Sequence, residues 1–125
     1  MEEMVLCRSA AAGKTLAFRA LRGWREKLVG LLGTNEEASP VALCGCSSVH
    51  TVGMGYPIDV ALVSRDGKVL AARRDVPPFR LVRASGAYYA LERPCSTDAW
   101  PDVGSWLAIA RCEGSKSRKE YEHHA

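Results

Sequence analysis

Two apolar runs meet at Asp66-Gly67, and this constrains the fold of the chain more than any other feature. Ile58-Asp59-Val60-Ala61-Leu62-Val63 leads in and Val69-Leu70-Ala71-Ala72 leads out. Aspartate followed by glycine suits the positive φ angles of a tight turn, so the segment predicts a β-hairpin. If the turn holds only these two residues, Val63 faces Leu70, Ala61 faces Ala72 and Asp59 faces Arg74. Ile58, Val60 and Leu62 then share a core-facing side with Val69 and Ala71. Asp59 and Arg74 become a cross-strand ion pair. Pro77-Pro78 ends the second strand, because proline has no N–H to donate to a ladder.

The rest of the chain reads as short strands. Met4–Cys7, Thr15–Leu21 and Val41–Cys44 are apolar or alternating runs, and Ser47–Thr51 continues the third past a bulge at Gly45. Phe79–Arg83, Ala87–Leu91 and Ser105–Ala110 complete the set. One helix is expected over residues 24–32, where Trp24, Leu28, Leu31 and Leu32 recur at helical spacing and Gly33 follows as a stop. The expected fold is therefore mainly β: one β-sandwich or barrel-like domain of about seven strands with one short helix, spanning residues 1–112. Residues 113–125 are polar, lack an apolar period and read as a disordered tail.

Composition excludes several classes of function. A length of 125 residues, 47% of them hydrophobic, supports one core without disulfide staples. A net charge of +3 is too small to mark a nucleic-acid binder, and no apolar run is long enough to span a membrane. The acidic start Met1-Glu2-Glu3 lacks the layout of a signal peptide, so the expected location is the cytoplasm. Cys7, Cys44, Cys46, Cys95 and Cys112 are odd in number and mostly set in apolar runs, as free thiols are. Cys44-Gly45-Cys46 alone is a poor metal signal. Gly13-Lys14-Thr15 lacks the earlier glycine of a phosphate-binding loop. No metal and no cofactor is expected.

The residues with chemical potential gather before and within the hairpin. His50 is the sole histidine outside the tail, and Met54 lies between Gly53 and Gly55 on a sharply bending loop. Tyr56 follows, and Asp59 interrupts an apolar run, which is costly unless it finds partners. Between residues 65 and 93 stand seven arginines or lysines against three acids, among them Arg73 and Arg74. A planar guanidinium suits carboxylates and phosphates. His50, Met54, Tyr56, Asp59, Arg73 and Arg74 are therefore the candidate ligand site. No strand-turn-helix nucleophile elbow accompanies His50, so no catalytic constellation is assigned.

In order and spacing, the motifs resemble an uncharacterised bacterial and archaeal family, domain of unknown function 192. The resemblance runs from Lys27 to about Ala110. It rests on Gly30-Leu31-Leu32-Gly33, Ser48-Val49-His50-Thr51, Met54 with Pro57-Ile58-Asp59-Val60, Asp66-Gly67-Lys68-Val69, Pro77-Pro78-Phe79-Arg80 and Leu91-Glu92-Arg93-Pro94. It implies a compact, mainly β domain and no particular reaction. The chain departs from the family pattern at Gly104-Ser105, where relatives have Gly-Asp, and at Pro94-Cys95-Ser96, where they have Pro-Ala-Gly.

The expected function is non-catalytic binding of a small polar or anionic ligand at the His50–Pro57 loop, by a monomer. One alternative is a hydrolase-like enzyme using His50 and Asp59 on a small substrate. The other is a protein-interaction module. Neither nucleic acid nor membrane is an expected partner.

Overall fold

The computed structural model describes residues 3–9, 13–22 and 38–113. These form β1 (Glu3–Ser9), β2 (Thr15–Leu21), β3 (Val41–Cys44), β4 (Ser48–His50) and β5 (Ile58–Ser64), followed by β6 (Val69–Val76), β7 (Leu81–Arg83), β8 (Ala87–Pro94) and β9 (Leu107–Glu113). Seven of them make one sheet in the order β6-β5-β8-β3-β2-β1-β9, and β4 and β7 pair separately. The fold is mainly β, as expected. The predicted helix at residues 24–32 lies outside the described residues, as does the predicted tail at 113–125 except for its first residue, Glu113, which belongs to β9 because it pairs with Glu3 of β1. The β2–β3 pair is parallel, so residues 22–40 supply the long crossover that a parallel pair requires.

The large sheet curls into a half-barrel. Alternation along each strand sends one set of side chains inward, and all seven strands contribute: Val5, Phe18, Ala42, Ala61, Val69, Leu91 and Leu107 belong to one buried cluster, with Trp100 inserted among them. The seam between the two edges closes at one end. The β5–β6 turn meets the start of β9, where Leu107 N–H donates to Gly67 O at 2.8 Å and Val69 N–H donates to Ser105 O at 2.9 Å. A Cβ on Gly67 would lie 2.1 Å from Leu107 O, and its φ of +106° also favours glycine. Backbone approach at the seam therefore demands that residue.

The outer face of β3, β8, β5 and β6 carries a second core. Val41, Leu43, Ile58, Val60 and Leu62 pack there beneath Val49 of β4, Val82 of β7, and Met54 and Tyr56 of the loop between β4 and β5. β5 is thus buried on both faces, and its sequence reads as a continuous apolar run for that reason.

The hairpin departs from its expected register in three places. Its loop holds three residues, not two: Gly67 N–H donates to Ser64 O at 3.0 Å and Ser64 N–H to Lys68 O at 2.8 Å. This is a type I turn followed by a glycine bulge. The Ser64 hydroxyl donates to the Asp66 carboxylate and tightens the loop. Extra residue Leu70 then forms a second bulge, after which Leu62↔Ala71, Ala61↔Ala72 and Val60↔Arg73 pair as expected. Because of that bulge Val69 turns to the barrel interior with Ala61 and Val63, instead of joining Ala71. A third irregularity sets Arg74 and Asp75 together against Asp59.

Candidate functional site

Asp59 is fully buried, and the bulge opposite it explains how it is tolerated. Asp75, at a φ of 56°, turns its N–H onto Asp59 Oδ1 at 2.9 Å. The second oxygen, Oδ2, accepts from Arg93 Nε at 2.8 Å and from the Ser96 N–H at 3.3 Å. Asp59 therefore pairs with Arg93, its register partner on β8. The expected pairing with Arg74 is corrected: the bulge takes Arg74 off the direct cross-strand position, and its guanidinium donates instead to the carbonyls of Ser96 at 2.7 Å and Asp98 at 2.6 Å.

Arg93 is itself buried. Its Nη1 donates to Ala99 O at 3.1 Å and its Nη2 to Asp98 O at 2.7 Å. Its guanidinium carbon stands 4.4 Å from the centre of the Trp100 ring. Trp100 is fixed in turn, donating its indole N–H to Val60 O at 3.1 Å and meeting Phe18 edge-on at 6.0 Å. Two arginines and one aspartate thus fasten the loop of residues 95–99 through its backbone.

That loop walls a cavity of about 600 Å³ at the open mouth of the half-barrel. The opposite wall is β2, from Thr15 to Phe18, and Ala38 and Pro40 close one side. Ser96, Thr97, Asp98, Arg93 and Trp100 supply polar and aromatic surface. All three guanidinium nitrogens of Arg93 are engaged in the bonds above. Cys95 also borders the cavity and is exposed there; partial desolvation, a hydrogen bond to Asp75 and nearby carboxylates raise its pKa.

The six residues expected to form one site are dispersed. Met54 and Tyr56 point into the outer core, where they plug the space under their own loop. His50 is exposed on β4, across from Leu81. Arg73 and Arg74 are exposed on β6. A second cavity, of about 430 Å³, is lined by Ser47, Ser48, Leu81, Arg83, Ala84 and Ser85. None of the six lines either cavity. Among the described residues no three His, Cys, Asp or Glu side chains come together as a metal site would require, and no helix is long and apolar enough to cross a membrane.

Sequence reasoning passed over three residues. Arg93 is a charged residue in a strand whose neighbours Tyr89 to Leu91 are buried, which demands a buried acid; of the two buried acids, Asp59 and Glu92, it is Asp59 that lies across from it. Trp100 lies in a short broken segment with no period to reveal its burial. Thr51 is fully buried, and its hydroxyl donates to Pro77 O at 2.8 Å while accepting from the Arg80 N–H at 2.8 Å. No sequence signal marks that role.

No family model and no curated protein matches the chain. Two solved structures are similar in fold. One is a "putative transcription regulator" of Sinorhizobium meliloti 1021, with a TM-score of 0.64 at 16% identity, covering 87% of this chain and 94% of that one. The other is a protein of unknown function from Novosphingobium aromaticivorans, with a TM-score of 0.67 at 16% identity, covering 86% and 83%. At such identity the likeness concerns the half-barrel fold alone.

Proposed function

We propose that the protein is a non-catalytic binding domain that holds a small polar ligand in the half-barrel mouth, between β2 and the loop of residues 95–99. The observation that carries this reading is the buried Asp59–Arg93 pair behind the cavity wall. A buried ion pair does little for net stability, because desolvation offsets the attraction. This one instead fixes the backbone of a loop that borders an aromatic- and hydroxyl-lined cavity of ligand size. Arg93 is already neutralised by Asp59, and Asp98 stands in the lining, so hydroxyl- or carbonyl-rich ligands fit better than strongly anionic ones. The site expected around His50 moves accordingly, with Asp59 and Arg74 as its supports.

The reading includes a cytoplasmic bacterial protein with one helix at residues 24–32. Kinship with domain of unknown function 192 rests on the order of the motifs. A thermal-shift screen of sugars, polyols and small carboxylates tests the proposal, since a ligand of the native state raises its Tm. A hit should move amide resonances of residues 15–18 and 93–100, and Ala17→Phe, which fills the cavity from the β2 side, should abolish it. Hits that survive Ala17→Phe, or that map elsewhere, would overturn the reading.

A further inference from the structure

The β4–β7 lobe presents a surface that neither core explains. Val52 is 51% exposed, Phe79 72% and Leu81 59%. These three share one tip: Thr51 N–H donates to Arg80 O at 2.8 Å, which sets Val52 beside the Phe79-Arg80-Leu81 run, and Leu81 lies across from His50. Phe79 also adopts a left-handed backbone, with a φ of 66°, although it is not glycine. Such a conformation persists only where surrounding structure over-determines it. Here Thr51 does so, accepting the Phe79 N–H at its carbonyl and gripping Pro77 and Arg80 with its hydroxyl. A bulky aromatic is thus held in a disfavoured conformation and pointed at solvent.

The charge around it has one sign. No Asp or Glu occurs from Ala38 to Ile58 or from Val76 to Leu91, whereas Arg80 and Arg83 are both exposed. β4 is the strand of the pair that lies against β8, so β7 is the outer one, with no second strand partner among the described residues. The 430 Å³ cavity runs beside Leu81 and Arg83. An unpaired strand edge flanked by apolar side chains and arginines is what an added strand recognises.

We propose that this face docks an extended acidic segment of a partner protein, added beside β7, with its apolar side chains against Val52, Phe79 and Leu81 and its carboxylates at Arg80 and Arg83. The arrangement is independent of the half-barrel cavity and needs no ligand there.

The test uses the full chain, isotope-labelled, and a library of seven-residue peptides alternating Asp or Glu with Val, Ile, Leu or Phe. Members should bind and move amide resonances of residues 48–52 and 79–84, and the matching Lys library should not. Arg83→Glu should weaken binding at least tenfold. Phe79→Gly should weaken it similarly while leaving Tm unchanged or higher, because glycine relieves the backbone. Three outcomes would overturn the proposal: no member binding, binding indifferent to Arg83→Glu and Phe79→Gly, or no peptide binding alongside recruitment to phosphatidylserine vesicles. A marked fall in Tm on Phe79→Gly would also count against it, since the side chain would then serve the fold.

Discussion

Two loops of this protein are each fastened by one fully buried polar side chain, and the fastenings differ in kind. Asp59 holds residues 95–99 through an ion pair, an amide of that loop and an arginine that in turn grips two carbonyls. Thr51 holds residues 77–80 with a neutral hydroxyl and its own backbone. The first system carries two opposite charges out of water, so losing one partner strands the other. The second carries none, so its loss leaves only unmet hydrogen bonds. Similar tasks therefore come with different sensitivities to mutation.

The largest expected effect follows from stranding a charge. Asp59→Asn should cost about 3–5 kcal/mol in chemical denaturation, because Arg93 is left buried without its counterion. The double change Asp59→Leu with Arg93→Met should recover most of that stability. It should also release the loop, seen as accelerated hydrogen exchange near Ser96. Full protection in the double variant would mean that the pair does not order the loop.

Glu92 is a buried carboxyl with no loop to hold. Burial alone lifts its pKa from 4.5 to about 7. The folded protein therefore keeps a proton that the unfolded chain gives up, and stability falls as pH rises from about 4.5 to 7 and levels off above. The loss should total about 3 kcal/mol. Denaturation midpoints measured from pH 4 to 8 should show this slope, and Glu92→Gln should remove that component.

Thr51→Val ranks third. It keeps the volume but leaves Pro77 O and the Arg80 N–H without their partner, an expected cost of about 1–3 kcal/mol. A cost equal to that of Asp59→Asn would break the comparison. Arg74→Ala should be smallest, below about 1 kcal/mol, because the side chain is exposed. Its signature should be faster exchange confined to residues 96–99, not a shifted midpoint.

The sequence disclosed some of this and hid the rest for physical reasons. The hairpin, the strands Thr15–Leu21 and Val41–Cys44, and the mainly β class follow from local pattern. Register followed only through the middle of the hairpin, from Val60↔Arg73 to Leu62↔Ala71; at its two ends the bulges at Leu70 and at Arg74-Asp75 depend on contacts with β9 and on Asp59, not on the turn residues. Asp59 was recognisable as a residue in need of a partner. That the partner is Arg93 depends on strand order, since β8 lies beside β5 although far along the chain. Met54 and Tyr56 looked like display residues on a glycine-rich loop, but glycine on either side of a side chain also lets it fold back as a plug. Only the core beneath decides between the two.

The pairing of β1 with β9 joins Glu3 to Glu113 and Ser9 to Leu107, nearly the full span of the described chain. Closing a loop of that length costs chain entropy on the order of 4 kcal/mol before any contact compensates it. The β5–β6 hairpin, by contrast, closes within microseconds from neighbouring residues. Its Gly67 carbonyl is therefore in place long before Leu107 arrives to meet it. Pairing of β1 with β9 is expected to come late in folding, on the slow timescale of non-local sheets, and β1, which carries Val5 and Cys7 into the core, waits on it for its second partner.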